Sequence, residues 1–220
     1  MHSALAGSAP LLLGFALGMR HAFDPDHIVA MSTIVTRERS VVRAMFLGGA
    51  WGAGHCLSLF TVGLAVLLLR VPMNEAWSLA FERLVGVMLV VLGATSLWRS
   101  GKMIPSASVK RRFAPIARRN HFPAPPRHRR PFAVGLVHGL AGSGALAIAV
   151  LATIPSRAAG LLYIALFGAG AVGGMVLVTA LFAIPMRFAT QVKAGAGKWL
   201  PIAASVGSVA FGIYYLYQCA

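Results

Sequence analysis

The sequence predicts an all-α polytopic membrane protein, with six transmembrane helices arranged as two inverted three-helix repeats. Three observations lead there. Hydrophobic residues make up 58% of the 220-residue chain and charged residues 11%, with a mean hydropathy of +0.76. A water-soluble domain of this size needs far more charge to cover its surface. Apolar runs such as Phe46–Leu69 and Ala158–Met186 are long enough to cross ~30 Å of hydrocarbon as helices. The two halves also match in register. Gly14-Phe-Ala-Leu-Gly-Met-Arg-His21 aligns with Pro131-Phe-Ala-Val-Gly-Leu-Val-His138, and Trp51-Gly-Ala-Gly-His55 with Phe167-Gly-Ala-Gly-Ala171.

Hydropathy places the spans at Leu11–Val35, Ala44–Leu69, Ala76–Trp98, Pro131–Ile154, Ala158–Met186 and Trp199–Leu216. No Lys or Arg precedes Arg20, so the basic start of a cleavable signal peptide is missing and the first span is expected to be retained. The third span is the weakest, because Glu82 and Arg83 fall in its first half and must lie near an interface or face protein. Residues 1–98 form the first repeat, 99–130 a basic loop and 131–220 the second repeat. Three spans per repeat is an odd number, so the repeats must cross the bilayer in opposite senses, a plan that puts a transport site near the midplane.

The net charge of +15 is distributed topologically. Ten of the twenty Lys and Arg lie between Arg99 and Arg130. Arg37, Arg39 and Arg43, and then Arg187, Lys193 and Lys198, fall on the same side of the alternation, leaving Arg70, Arg83 and Arg157 opposite. Basic loops stay cytoplasmic, which puts both termini outside, in a bacterial inner (plasma) membrane. The large loop suits anionic lipid headgroups. Nucleic acid is excluded as a partner because no folded recognition module fits that Pro-rich stretch. Cys56 and Cys219 make no disulfide framework.

The chemistry concentrates in the first span. Of five acidic residues, Asp24 and Asp26 share the heptapeptide His21-Ala-Phe-Asp-Pro-Asp-His27. A carboxylate at that depth costs ~2.5–3.5 kcal/mol, so two beside two histidines call for a function. On a continuous helix His21, Asp24 and His27 spread over about 120° of one face, with Asp24 central and Asp26 pointing away. Pro25 should kink the helix, freeing the carbonyl of His21 and letting Asp26 swing inward. Arg20 is expected to neutralise one aspartate. His55, among small residues that permit close helix approach, and His138, opening a Gly-rich run, lie in other spans. Imidazole nitrogen with carboxylate oxygen suits borderline divalent ions, among them Ni²⁺, Co²⁺, Zn²⁺ and Cu²⁺. The metal-ligating set is therefore His21, Asp24, Asp26, His27, His55 and His138.

Other features are weaker. His121 and His128 lie in the basic loop, Met1-His2 could offer a chance amine and imidazole, and Cys56 reads as core. Gly195-Ala-Gly-Lys198 lacks the length and the Ser/Thr of a phosphate loop, so the chain should not hydrolyse nucleotide. The chain reads as no enzyme and as having no resident cofactor. Gly170–Gly174 could make a close contact between helices, a homo-oligomer included.

The pattern His21-x4-Asp26-His27 resembles the hallmark of the nickel/cobalt transporter (NiCoT) family, and Gly52-Ala-Gly-His55 fits a second motif of that family. Val137-His-Gly-Leu-Ala-Gly-Ser-Gly-Ala-Leu146 is similar to the family's shorter UreH-like members, often linked to urease and nickel. The resemblance implies metal recognition by His21, Asp26 and His27, with His55 and His138 nearby. Full-length members have more than six spans. The expected function is a secondary permease with Ni²⁺ or Co²⁺ as its substrate. The alternatives are a membrane accessory protein supplying nickel to a metalloenzyme such as urease, a small-oxyanion exporter using Arg20, and, last, a hydrolase using Ser143.

Overall fold

A computed structural model describes residues 2–36, 38, 40–69, 75–101, 128–140, 150, 151, 153, 154, 156–192 and 196–219. Among these every regular element is an α-helix. In chain order they are α1 (His2–His21), α2 (Pro25–Val35), α3 (Val41–Leu69), α4 (Glu75–Gly101), α5 (Arg129–His138), α6 (Arg157–Val192) and α7 (Ala196–Gln218). Four stretches are long and apolar enough to cross a membrane: Val41–Ala65, Ala76–Ser100, Arg157–Phe188 and Trp199–Gln218. The expected first span is divided between α1 and α2. The fourth starts as α5, and residues 141–149 of it lie outside the described residues.

The exterior is apolar, with Leu12, Phe46, Val42, Leu68 and Phe188 facing outward, while the interior joins apolar side chains such as Met31, Trp51, Leu89 and Met175 to the polar His21, Asp26, His27, Thr33, His55, Ser58, Ser96, His138, Thr179, Ser205 and Ser208. Outward aromatics mark two levels. Trp77 and Trp98 stand near the two ends of α4, and Trp199 and Tyr217 near those of α7, between 63% and 79% exposed. At 1.5 Å per residue each pair is separated by roughly 30 Å, the thickness of a hydrocarbon core with aromatic residues at its interfaces. The chain is an integral membrane protein.

Helix directions follow from the glycine contacts. Along α3, Gly48 meets Thr179, Gly52 meets Met175 and Val172, and Gly63 meets Ile164, so α3 and α6 run antiparallel. Gly86 against Leu216 and Gly93 against Ser205 make α4 and α7 antiparallel too. Two crossings are backbone on backbone. A Cβ on Gly18 would stand 2.0 Å from the carbonyl oxygen of Phe167, and one on Gly135 would stand 2.0 Å from that of Trp51. A Cβ on Gly170 would likewise stand 2.2 Å from the carbonyl oxygen of Phe15, and one on Gly54 2.2 Å from that of Phe132. These four glycines and their four partners are the residues that the internal alignment pairs.

Glu82 and Arg83 do face protein. The Arg83 guanidinium donates through Nε and Nη2 to the Cys219 carbonyl at 2.9 and 2.7 Å, and the Cys219 thiol donates to Glu82 at 3.4 Å. This ties the beginning of α4 to the end of α7. Further along the same pair, Ser205 donates to Ser96 at 2.7 Å and Ser208 to the Leu89 carbonyl at 2.9 Å. In apolar surroundings a hydroxyl must find such a partner.

Candidate metal centre

The centre forms where the first span breaks. The α1 ladder ends at His21, and Asp24 takes an extended conformation (φ −60°, ψ 143°) that a helix cannot continue. Pro25 then occupies the first position of α2, where its missing N–H costs nothing. The expected kink is thus a full break placed before the proline. The His21 carbonyl is not freed, because it accepts the Asp24 N–H at 3.1 Å. Restarting the helix re-aims every later side chain. Asp26, expected to point away unless the helix broke, is buried in the first turn of α2, and Asp24, expected to be central, has a side chain 37% exposed.

Glycines bring the other elements in. With Gly135 on the Trp51 carbonyl and Gly139 so close to the His55 carbonyl that a Cβ would stand 2.2 Å from its oxygen, α5 lies directly on α3. His138, the last residue of α5, thereby comes beside His55. Gly18 and Gly174 bring α1 against α6, where the Phe167 ring lies 5.5 Å from that of His21. His27, His55 and His138 are 0–1% exposed, and His21 and Asp26 are each 5% exposed.

The hydrogen bonds fix where lone pairs remain. An ionised carboxylate only accepts. His27 Nδ1 therefore donates to Asp26 Oδ1 at 3.0 Å, and His138 Nε2 donates to Asp26 Oδ2 at 2.8 Å. His21 Nδ1 donates to Asp24 at 2.9 Å, which leaves its Nε2 to accept from His55 Nε2 at 2.9 Å. With each ring neutral, His27 Nε2, His55 Nδ1 and His138 Nδ1 carry lone pairs, and these are the three imidazole nitrogens buried without a partner among the described residues. Unpaired nitrogen acceptors grouped in an apolar bundle suit a cation that takes lone pairs. Two sets of three ligand atoms lie within 4.8 Å of one another: His21, His27 and His55, and Asp26, His27 and His138.

Five of the six expected ligands therefore meet. Asp24 stands behind His21 and holds its ring through Nδ1, the position of a residue that orients a ligand. Arg20 is exposed and pairs with neither aspartate among the described residues, contrary to the expected neutralisation. Cys56 donates to the Gly168 carbonyl at 3.3 Å, outside both sets. His128 is exposed where α5 begins. The side chains of Met1 and His2, together with His121, Ser143 and Gly195, lie outside the described residues.

Trp51 was not foreseen. It is fully buried, with its ring 5.1 Å from His27, 5.4 Å from His138 and 6.3 Å from His55. The signal was its place four residues before His55, on the same face of α3.

No protein-family model and no solved structure matches the chain. It is 33% identical over 211 residues to the urease accessory protein UreH of Bacillus sp. (strain TB-90), covering 94% of this chain and 90% of that protein. It is 28% identical over 177 residues to the chloroplast protein FOR GROWTH AND FERTILITY 1 of Arabidopsis thaliana, covering 76% of this chain and 47% of that one. To FOR GROWTH AND FERTILITY 2 of the same plant it is 28% identical over 179 residues, covering 74% and 44%. The chain spans about half the length of the two plant proteins.

Proposed function

The chain belongs to the family of the urease accessory protein UreH, and from that premise we propose that it is a secondary permease for divalent transition metal ions, with Ni²⁺ or Co²⁺ as cargo. The observation that carries this reading is the group of four imidazoles and one carboxylate, all buried, at a helix break inside an apolar bundle. The metal ligands are His21, Asp26, His27, His55 and His138, and Asp24 orients His21. The ion is substrate, and the protein has no resident cofactor and catalyses no reaction.

The architecture proposed is the six-span inverted repeat, with 1–98 and 131–220 as its halves. Its support is the antiparallel course of α3 against α6, whose sequences match, and of α4 against α7, which hold the corresponding third places, together with the matched glycine crossings. His21 and His138 then hold equivalent places, each ending the first helix of its repeat. An ion sheds water, enters between the halves and passes as they rock about it. With both termini outside and the 99–130 loop in the cytoplasm, an inside-negative potential favours uptake by about 2.3 kcal/mol per charge per 100 mV. The loop's basic residues suit the anionic lipid of a bacterial inner membrane.

The test is radiometal accumulation in cells producing the wild type or His27→Ala at equal membrane levels. Accumulation should fall to background in the variant, and equal accumulation sinks the proposal. The name of the Bacillus relative favours a second reading, in which the chain supplies nickel to urease through its cytoplasmic loop. Deleting part of Lys110–Arg130 would then abolish urease activation with metal flux intact.

A further inference from the structure

Arg20 is an exposed cation at a depth that belongs to lipid. Its helix α1 lies along α6, with Gly18 against Phe167 and Ala171, and Ala22 against Gly174. Ala171 and Gly174 flank the middle of the apolar stretch Arg157–Phe188, so Arg20 stands ~15 Å from either edge of the hydrocarbon. An arginine near a helix end carries its charge back to the interface, and one at mid-depth cannot. Leu13, Ala16 and Phe23 recur around it at three- and four-residue spacing, all exposed on the same side of the first span. Asp24 adjoins this face with its side chain 37% exposed. Its Oδ2 meets His21 Nδ1 at 2.9 Å, and its Oδ1 has no partner among the described residues. A cation and an anion thus stand one turn apart, unpaired with each other, on a surface turned toward hydrocarbon.

We infer that this face is the contact between two copies of the chain, with Arg20 of each paired to Asp24 of the other. The charge pattern selects that occupant. One cation and one anion make the face complementary to itself under a twofold rotation, and an isologous contact satisfies both charges of both chains at once. Lipid tails offer neither a counter-charge nor water at that depth. Two copies in one membrane share an orientation, so the axis runs along the membrane normal and like residues stand at like depth. Arg20 then reaches across about one helical turn, ~5.4 Å, to meet Asp24. Ala16, small and one turn earlier on the same face, lets the two α1 helices approach closely. The contact also bears on the metal centre. Asp24 accepts from His21 through one oxygen and from Arg20 of the second copy through the other, so pairing steadies the carboxylate that orients the ring. Nothing in this contact depends on the cargo or on transport, so it stands or falls apart from the permease reading.

The test uses full-length chains carrying two different affinity tags, co-produced and solubilised in mild detergent, with the fraction recovered through both tags as the readout. Wild type should pair with wild type. Arg20→Asp and Asp24→Arg should each lose self-pairing at least tenfold, because carboxylate then faces carboxylate and guanidinium faces guanidinium. Arg20→Asp co-produced with Asp24→Arg should recover it, since every contact again sets an arginine against an aspartate. A role confined to one chain gives no such rescue. Where a charge variant does not fold, cross-linking in isolated membranes decides. With Cys56 and Cys219 replaced by alanine, Ala16→Cys should join its twin through a short bifunctional thiol reagent, and Val206→Cys, 51% exposed on α7, should not. Single charge variants that pair like the wild type would overturn the inference. So would folded variants that fail to rescue each other, and so would cross-linking at Val206→Cys but not at Ala16→Cys. A wild type that is monomeric and not cross-linked at Ala16→Cys would also overturn it, and labelling of Arg20→Cys by a membrane-impermeant maleimide would then assign the face to a water-filled vestibule.

Discussion

Replacing Gly135 by alanine adds one methyl group 2.0 Å from the Trp51 carbonyl oxygen and 2.9 Å from its carbon. A carbon–oxygen contact settles at about 3.3 Å, so α5 must lift from α3 by roughly 1.3 Å or slide along it. The clash is with backbone, and no rotamer change relieves it. Overpacking of this kind costs ~1–3 kcal/mol, and the better helix propensity of alanine returns only ~1 kcal/mol. The bundle should therefore still fold. The metal centre should suffer more, because His138 sits three residues on, at the end of the displaced helix. Its 2.8 Å bond to Asp26 stretches beyond hydrogen-bond length, and metal–ligand distances tolerate only about 0.2 Å. A shift near 1 Å is worth about 100-fold, which is the loss of Ni²⁺ affinity expected in competition with a chromophoric chelator. Gly207→Ala is the control, since a Cβ there meets nothing within 4 Å. A monodisperse Gly135→Ala protein with wild-type affinity would refute the argument that the backbone crossing sets the site.

Other expected outcomes are smaller. Asp24→Asn keeps the shape but removes the carboxylate that holds His21 through Nδ1; Ni²⁺ affinity should fall about 10- to 100-fold, as for other residues that orient a ligand, and an unchanged binding isotherm would remove Asp24 from that role. Ser208→Ala deletes the buried bond to the Leu89 carbonyl, for which membrane helices give only about 0.6 kcal/mol. Thermal unfolding should barely shift, whereas Ser208→Leu should overpack the α4–α7 contact and lower the midpoint by several degrees.

Much of the site was legible in the sequence because charge is so costly in hydrocarbon. Two aspartates and two histidines in one heptapeptide announce a purpose at any resolution of the fold, and the matched segments around His21 and His138 pointed to the partner helix. What hydropathy could not supply was where helices start and stop. Residues 2–10 are small and only partly apolar, so the first span was set to begin at Leu11, yet they are helical from His2. Likewise α6 continues to Val192, past both Pro185 and the expected end at Met186. The angular place of Asp24 was less legible. Counting 100° per residue puts Asp24 at the centre of the face only on a continuous helix, and the count lapses where Asp24 is extended and α2 begins afresh. The break before Pro25 turns Asp26 inward, as a break there predicts, and leaves Asp24 beside His21. Trp51 is less legible for another reason. Its neighbours Gly52 and Gly54 signal close helix packing, and nothing in the local pattern separates a tryptophan that packing encloses from one at an interface.

The makeup of the buried cluster also decides what the protein can ignore. Four of its five groups are imidazoles and one is a carboxylate. Magnesium and calcium, the abundant divalent ions, demand six or more oxygens and part reluctantly with water. Against them the cluster offers a single oxygen-donor side chain and no compensation for the rest of the hydration shell. Borderline ions lose less, because imidazole replaces water on them at a gain. For the permease proposed above, rejection of a far more plentiful competitor then follows from the choice of donor atom and needs no cavity of exact size.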